Sequence, residues 1–330
     1  MDNNHIQQAL DYLESEYETW NDSFESQWVH LNDNDYNAKA DQLSFDEDRP
    51  LKNFETSFGH SSLRAKIETQ INAWLNNTSL DPNTDPENKT GFDDEFLRTL
   101  VNDKSEIQVG NSIYLEKPYY ASPGSPPAAI LISISGSNSS LLQTIRSKAY
   151  LTGADFSPLG GSGLNANGFQ TNIVPGASPG FLYGKSTTVG ITPYLAVSGG
   201  RSCIGWKRNA DRFPYGNNKE YKVVASLRNY FFVPRIAAKT VSYEKKPNGK
   251  WGKLRTRLVA SISGKVYNEN CGIPTTIPPR RREKRRSRIR VNINGNYFSV
   301  ILMIIKAENP YDIDTYHYCN GEEKLWGVFW

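Results

Sequence analysis

The sequence predicts an α+β protein: a small helical acidic N-terminal region followed by an antiparallel β sandwich-like C-terminal domain. The charge distribution is the first reason. Residues 1–120 hold 24 Asp/Glu and 9 Lys/Arg, a net charge of −15, whereas residues 121–330 hold 11 and 29, a net of +18. The second reason is periodicity, because apolar residues recur at helical spacing before residue 105 and alternate with polar ones after residue 220. The domain boundaries follow: an acidic, mostly helical region ending in a β-hairpin at 1–120, and a basic, Gly-rich and then all-β domain at 121–330.

Helical spacing and capping residues define the elements of the acidic region. They predict a helix at 5–31, a polar linker at 32–50, a helix at 60–76, a loop of turn-forming residues at 77–92 and a short helix at 93–103. The first helix carries its apolar stripe on Ile6, Leu10, Leu13, Tyr17, Trp20 and Phe24. Ser61 or Ser62 is expected to cap the second helix, and Asp93 or Asp94 the third.

Alternating apolar residues and tight turns define the strands. They predict a hairpin at 105–117 with its turn at Gly110-Asn111, then strands at 128–135, 220–232, 239–246, 251–267, 286–293, 297–307, 315–319 and 325–330. Asn248-Gly249 predicts a type I′ hairpin turn, in which both central residues need a positive φ. Residues 152–200 hold 11 Gly and predict either a long loop system or short strands joined by turns.

The alternation also predicts how the sheets face their surroundings. In 286–293, Ile289, Val291 and Ile293 face one way, and Arg288, Arg290 and Asn292 the other. Clean alternation of this kind is typical of antiparallel sheets with one face on the core and one face in water.

Several classes of protein are disfavoured. No apolar stretch reaches the roughly 18 residues that a transmembrane helix needs. The N-terminal MDNNHIQQAL has no basic or apolar signal region, which leaves open a cytoplasmic protein, a chain whose leader was removed, or export by another route. Cys203, Cys271 and Cys319 allow at most one internal disulfide and form no zinc pattern. Buried free thiols are the simplest interpretation, and one disulfide is the better one if the protein is exported.

One segment resembles a recurring segment of uncharacterised Bacteroidota proteins that are regarded as exported. Residues 91–118 combine an acidic patch at Asp93 and Asp94, a short helix ending at Asn102, the run 106–110, and the strand start Ile113-Tyr114. A Lys-Thr strand at Lys239-Thr240 and the Trp-Gly-Lys return at 251–253 are similar too. The resemblance implies secretion or surface display and a β-rich C-terminal half, and it implies no activity.

The densest charge in the chain is the run RRREKRRSRIR at 280–290, part loop and part strand in this prediction. Eight of its eleven residues are basic: Arg280, Arg281, Arg282, Lys284, Arg285, Arg286, Arg288 and Arg290. Such a stripe suits a polyanion, because the planar guanidinium forks meet phosphate or carboxylate groups bidentately. Two other interpretations stay open: a solvated strand edge that discourages edge pairing, and a docking surface for the acidic N-terminal segment.

The other motifs are weaker. An aromatic platform at Tyr230, Phe231, Phe232 and Arg235 is more typical of a core strand than of a nucleic-acid reader. Gly160–Gly163 lacks the Lys-Ser/Thr of a phosphate loop, and 81–87 lacks the Gly and Glu of a calcium loop. His317 and Cys319 share a strand face, yet a Cys–His nucleophile pair also needs an orienting group, for which Asp312 or Asp314 is the candidate.

These observations predict a non-enzymatic exported or surface protein whose basic β domain binds a polyanion (polysaccharide, lipopolysaccharide or nucleic acid) or a protein partner. One alternative is a delivered toxin or hydrolase that acts on nucleic acid through its basic C-terminal domain, with the acidic region as a mask. Another is a structural subunit of a surface assembly. We expect no catalytic residues, cofactor or metal. A cytoplasmic location is the alternative to export, and the sequence leaves the oligomeric state open.

Overall fold

A computed structural model describes residues 3–77, 84–90, 92, 94–120, 128–136, 139–152, 169–171, 207–230, 233–266, 275–294 and 313–327. The helices in these ranges are α1 (Asn3–Trp28), α2 (Asp33–Gln42), α3 (Arg49–Phe58), α4 (Leu63–Leu75), α5 (Glu95–Leu100) and α6 (Ser139–Ser147), with a 3₁₀ turn at Pro86–Lys89. The strands are β1 (Glu106–Val109), β2 (Ser112–Tyr120), β3 (Ala128–Ser135), β4 (Leu151–Thr152), β5 (Phe169–Thr171), β6 (Lys207–Pro214), β7 (Lys219–Tyr230), β8 (Val233–Lys245), β9 (Trp251–Lys253), β10 (Thr256–Val266), β11 (Thr275–Arg286), β12 (Arg288–Asn294), β13 (Ile313–Cys319) and β14 (Glu322–Gly327).

The amphipathic helices form as their spacing predicts. Ile6, Leu10, Leu13 and Tyr17 of the α1 stripe are buried in one cluster with the apolar side chains of α4 and α5. Phe24 packs instead against Tyr36 and Ala40 of α2, and Trp20 is half-buried. Ser62 caps α4, because its Oγ accepts a hydrogen bond from the Ala65 amide at 3.0 Å. Asp94 caps α5 in the same way, with Oδ1 accepting from the Phe96 and Leu97 amides, whereas Asp93 lies outside the described residues.

The prediction of a linker at 32–50 is wrong, since α2 and the first two residues of α3 lie within it. Asn32 caps α2 by accepting from the Asp35 amide at 3.0 Å, and a proline lies in the first turn of α3. Only Tyr36 and Ala40 of α2 are buried. Two buried apolar residues in ten are too few to produce a periodic pattern. The capping residues were therefore the sequence signal that could have predicted these helices.

The predicted hairpin at 105–117 is confirmed as β1 and β2, with Gly110 at φ 57° in the turn. β2 also pairs with β3, and β4 and β5 complete a five-stranded sheet. These strand pairs join the two sides of residue 120. They do not show a domain boundary at that position, which stays a prediction. Most of residues 152–200 lie outside the described residues.

Two antiparallel sheets face each other in the C-terminal half, which confirms the α+β class with a sandwich-like second part. Sheet A has the order β12-β8-β7-β6, with β9 beside β8, and sheet B has the order β11-β10-β13-β14. The side chains between them include Tyr221, Val223, Ala225, Leu227, Ile236, Ala238, Leu258, Ala260, Ile262, Ile289, Val291 and Ile293. The predicted alternation of β7 and β12 is thus confirmed.

The predicted single strand at 251–267 is wrong. β9 pairs with β8 in sheet A, and β10 belongs to sheet B, so the chain changes sheets at Leu254-Arg255. Leu254 donates its amide to the Ser242 carbonyl, while Arg255 exchanges hydrogen bonds with Asn37 of α2. The preceding turn is not type I′ either, because Gly249 has φ 79° and Asn248 is not in the positive region.

The expectation of a water-facing polar side is wrong for sheet A. Its second face packs against the N-terminal helices, and Val241 and Tyr243 of β8 belong to the helical core cluster. Arg288, Arg290 and Asn292 are consequently buried. Among the described residues, no helix is long and apolar enough to cross a membrane.

Candidate functional site

The basic run forms two strands rather than a loop and a strand. Residues 280–286 lie in β11 at the edge of sheet B, and 288–290 begin β12 at the edge of sheet A. Ser287 is the corner between them. Glu47 fixes this corner, accepting from the Ser287 amide at 2.9 Å and from its hydroxyl at 2.6 Å. The run therefore passes from one sheet to the other beside the N-terminal helices.

Helix α1 neutralises one side of β11. Arg282 reaches Glu14 at 2.8 Å and Glu18 at 3.1 Å. Arg286 also pairs with Glu18, at 2.9 Å, and with Asp22, at 2.5 Å. The acids lie four residues apart, on one face of the helix. The acidic stripe of α1 is thus matched to the basic strand.

The remaining half-buried members of the run in β11 also have acidic partners. Lys284 lies 2.8 Å from Asp22. Arg285 pairs with Asp33 of α2 at 3.1 Å and donates to the Leu31 carbonyl at 2.6 Å. These contacts bring the α1–α2 turn against β11.

The two arginines of β12 are buried against α3 and α5. Arg288 pairs with Asp48 and lies 3.7 Å from Glu95. Arg290 lies 3.2 Å from Glu95 and 3.4 Å from Asp94. Burial alone would raise the pKa of Asp48, but the charge of Arg288 outweighs it and holds that pKa below its usual value. Both carboxylate and guanidinium therefore stay charged in the interior.

The same face of sheet A carries three further cations, which sequence reasoning did not group with the run. We define the cationic face as Lys222, Arg235, Lys239, Arg288 and Arg290. Their strand positions give the signal in retrospect, because 222 alternates with the core residues of β7 and 235 and 239 with those of β8.

Glu87 connects two of these lysines. Its carboxylate lies 2.9 Å from Lys222 and 2.8 Å from Lys239, and Arg98 approaches it at 3.2 Å. Burial favours the neutral acid, but the three cations outweigh it and hold the pKa of Glu87 well below its ordinary range. Asp85 adds a second carboxylate to Lys222 at 2.6 Å. The 3₁₀ turn and α5 thus supply most of the anions that match the cationic face.

Two basic members of the run stay exposed, Arg280 and Arg281. Arg281 points to the outer face of sheet B, where Glu283 accepts from it at 3.0 Å and from Arg257 at 2.5 Å. The Arg281 guanidinium lies over the Tyr316 ring, and that of Arg257 over Tyr318, at 5.4 and 5.6 Å. We call Arg257, Arg281, Glu283, Tyr316 and Tyr318 the Arg–Tyr face.

Sequence reasoning missed Arg257 and both tyrosines of this face. The alternation of β13 contained the signal, because Tyr316 and Tyr318 must face away from Cys319 and His317. The hydrogen bonds from Arg281 and Arg257 hold the pKa of Glu283 below its usual value, so this carboxylate stays charged at neutral pH.

His317 and Cys319 share the inner face of β13 but do not form a nucleophile pair. Thr240 Oγ1 donates to the Val259 carbonyl, so it accepts from His317 Nδ1 at 2.9 Å, and His317 Nε2 accepts from the Thr315 hydroxyl at 2.9 Å. Burial lowers the pKa of His317 to about 3 and raises that of Cys319 to about 12. The ring is a neutral core side chain with both nitrogens in use.

The remaining motifs carry no site in the described part of the chain. Arg235, the basic member of the aromatic platform, is buried against Asp94, while Phe231 and Phe232 lie outside the described residues. So do Gly160–Gly163, Asp312, Cys203 and Cys271, and also residues 81–83. Among the described residues no cluster of His, Cys, Asp and Glu could hold a metal ion. Asp85 and Glu87 form ion pairs with Lys222 and Lys239.

Comparison with known proteins gives little. No family model and no curated protein matches the chain. One solved structure similar to it is the crystal structure of a DUF4848 family protein from Bacteroides thetaiotaomicron. The identity is 10%, the match covers 89% of this chain and 93% of that chain, and the TM-score is 0.21. That neighbour comes from the Bacteroidota, as do the proteins with the similar segment. A likeness this weak carries no argument about the fold or the site.

Proposed function

We propose that this protein is a non-enzymatic interaction protein that binds a polyanion through the Arg–Tyr face, and that it acts outside the cell or on its surface. The observation that carries the proposal is the division of the basic run. Lys284 and five of its arginines are matched by acids of the helical region, whereas Arg281 joins Arg257 on the outer face of sheet B. The exposed surface near the run, not the whole run, is therefore the candidate contact.

The location rests on the sequence resemblance alone. A cytoplasmic location remains the alternative.

The masked-toxin alternative requires the helices to leave the basic strands. The helices share an apolar core with Val241 and Tyr243 of sheet A, so leaving would expose that core as well as the cationic face. This favours an integral helical layer over a removable mask. The surface-assembly alternative has no observation of its own in support and stays a prediction.

The experiment measures binding of the full chain to hyaluronan, heparin and duplex DNA at low salt. The double variant Arg257→Gln/Arg281→Gln should weaken binding about tenfold or more, because a hydrogen bond to a charged group contributes roughly 1.5 kcal/mol. The matched control is Arg49→Gln/Arg146→Gln. It removes the same charge from Arg49 of α3 and Arg146 of α6, and Arg49 also lies over an aromatic ring. Equal weakening by both variants, or no binding by the parent chain, would refute the proposal.

A further inference from the structure

The Arg–Tyr face carries little net charge. Two guanidinium groups share one carboxylate, because Arg257 and Arg281 both donate to Glu283. On the same side of the sheet, Asp314 of β13 and Glu323 of β14 are exposed, and so is Lys265 of β10. A face with about as many acids as bases attracts a ligand with a few well-placed anionic groups and repels one with closely spaced charges.

The arginines are oriented in advance. Each lies over a tyrosine ring and is held by Glu283, so much of their rotamer freedom is already lost before a ligand arrives. Pre-oriented guanidinium groups are suited to carboxylates, which they meet bidentately. The side chains of Arg257 and Arg281 are still 60% and 53% exposed, which leaves donors for a ligand.

The centre of the face offers rings and hydroxyl groups. Tyr316 and Tyr318 are half-buried on one side of β13, about 7 Å apart along the strand by ordinary strand geometry. Ser261 of β10 is the register partner of Tyr316, so its hydroxyl lies on the same side. Flat rings beside hydroxyl groups suit a ligand with apolar C–H faces and many neutral hydroxyls.

Nucleic acid fits this surface poorly. Duplex DNA carries one charge per roughly 1.7 Å, and proteins that bind it neutralise several phosphates at once. The Arg–Tyr face has two cations and a carboxylate between them, enough to neutralise about one phosphate. The arginines of the run from Arg282 onward pair with acids of the helical layer and add no charge to this face.

We infer that the polyanion is an acidic polysaccharide of low charge density, in which carboxylates alternate with neutral sugars. The carboxylates bind Arg257 and Arg281, and the sugar rings pack against the sides of Tyr316 and Tyr318 that the guanidinium groups do not cover. This inference rests on the proposed function, because it names the class of ligand for the same face.

The test uses the full chain with three probes: hyaluronan, which has one carboxylate per disaccharide, duplex DNA, and neutral dextran. Hyaluronan should bind more tightly than DNA at 200 mM salt. Its affinity should fall only about fourfold between 50 and 200 mM salt, because Glu283 already offsets one of the two arginines and leaves a net of about one charge to neutralise. Dextran should bind more weakly than hyaluronan, because it lacks the carboxylates.

A tyrosine variant tests the stacking. Tyr316→Ala/Tyr318→Ala should weaken hyaluronan binding about tenfold, whereas Tyr316→Phe/Tyr318→Phe should keep most of it, because the rings remain. The control Tyr12→Ala removes an exposed tyrosine from α1 and should have no effect. Equal effects of the Ala and Phe variants would overturn the stacking contact.

The two proposals fail differently. Tighter binding to DNA with a steep salt dependence, still lost in the arginine variant, would overturn the polysaccharide and keep the polyanion function. Binding to none of the charged probes would overturn both the polyanion function and the polysaccharide ligand. Equal binding to dextran and hyaluronan would show that the carboxylates do not contribute to binding, which would also contradict both proposals.

Discussion

Glu87 and Lys239, 152 residues apart in the sequence, form a buried ion pair with 2.8 Å between Oε1 and Nζ. The pair joins the 3₁₀ turn of the acidic region to the middle of β8. A buried ion pair adds little stability over apolar packing, but removing one partner leaves an unmatched buried charge. The cationic face therefore fixes where the helical layer sits on sheet A, and removing the charge of one partner should lower the free energy of unfolding.

Glu87→Gln tests this relationship. The change leaves Lys222, Lys239 and Arg98 without their shared charge partner, and we expect the free energy of unfolding to fall by roughly 3–5 kcal/mol. Urea unfolding at pH 7 measures it. The control Glu244→Gln makes the same chemical change in an exposed pair with Lys219 at 3.7 Å, which should lose less than about 1 kcal/mol. Equal losses in both variants would contradict the account.

His317 predicts a pH dependence of stability. Its pKa is about 3 in the folded chain against 6.5 when unfolded, so the unfolded state binds the proton first as pH falls. The stabilisation by neutral His317 is complete above pH 6.5 and is lost as pH falls toward 3. It amounts to a loss of about 2 kcal/mol between pH 7 and pH 5. The buried carboxylates with lowered pKa contribute their own loss only below about pH 4.3.

His317→Gln isolates this effect. Urea unfolding of parent and variant at pH 7 and pH 5 gives four free energies. The parent should lose about 2 kcal/mol more than the variant between the two pH values. Equal losses would mean that His317 is accessible to protons in the folded chain.

Cys319 is expected to be inert in the folded protein. It is fully buried, and burial raises its pKa to about 12, so its thiolate is scarce at neutral pH. In a Cys203→Ser/Cys271→Ser background, a thiol reagent at pH 8 should react with the native chain at least about a hundredfold more slowly than with the chain in guanidinium. Similar rates in both conditions would place the thiol at the surface.

Sequence reasoning predicted the strand alternation and most of the α1 stripe, and it narrowed two helix caps to Ser61 or Ser62 and Asp93 or Asp94, because each of these features depends on nearby residues. It was wrong where contacts between residues far apart in the sequence determine the structure. Arg288 and Arg290 have the pattern of a water-facing side. Residues far away in the sequence, Asp48 and Glu95 among them, cover that side and make it an interior. The sheet change at Arg255 depends on Asn37 in the same way.

Sequence reasoning missed the Arg–Tyr face for a related reason. The run at 280–290 is conspicuous because its charges are adjacent in sequence, yet adjacency places successive side chains on opposite faces of a strand. Arg281 therefore belongs with Arg257 and Tyr316 on other strands, not with Arg282. The local density of charge located the region but not the surface.

The central claim is that the basic run is divided between an interior contact and an exposed face. Arginine-selective labelling of the native full chain with phenylglyoxal, read out by peptide mass spectrometry, tests it directly. Arg257 and Arg281 should be modified at least about tenfold faster than Arg286, Arg288 and Arg290, because reagent access follows exposure and local opening. The latter three have side chains only 3–8% exposed. Comparable labelling of all five would contradict the account and return the whole run to the surface.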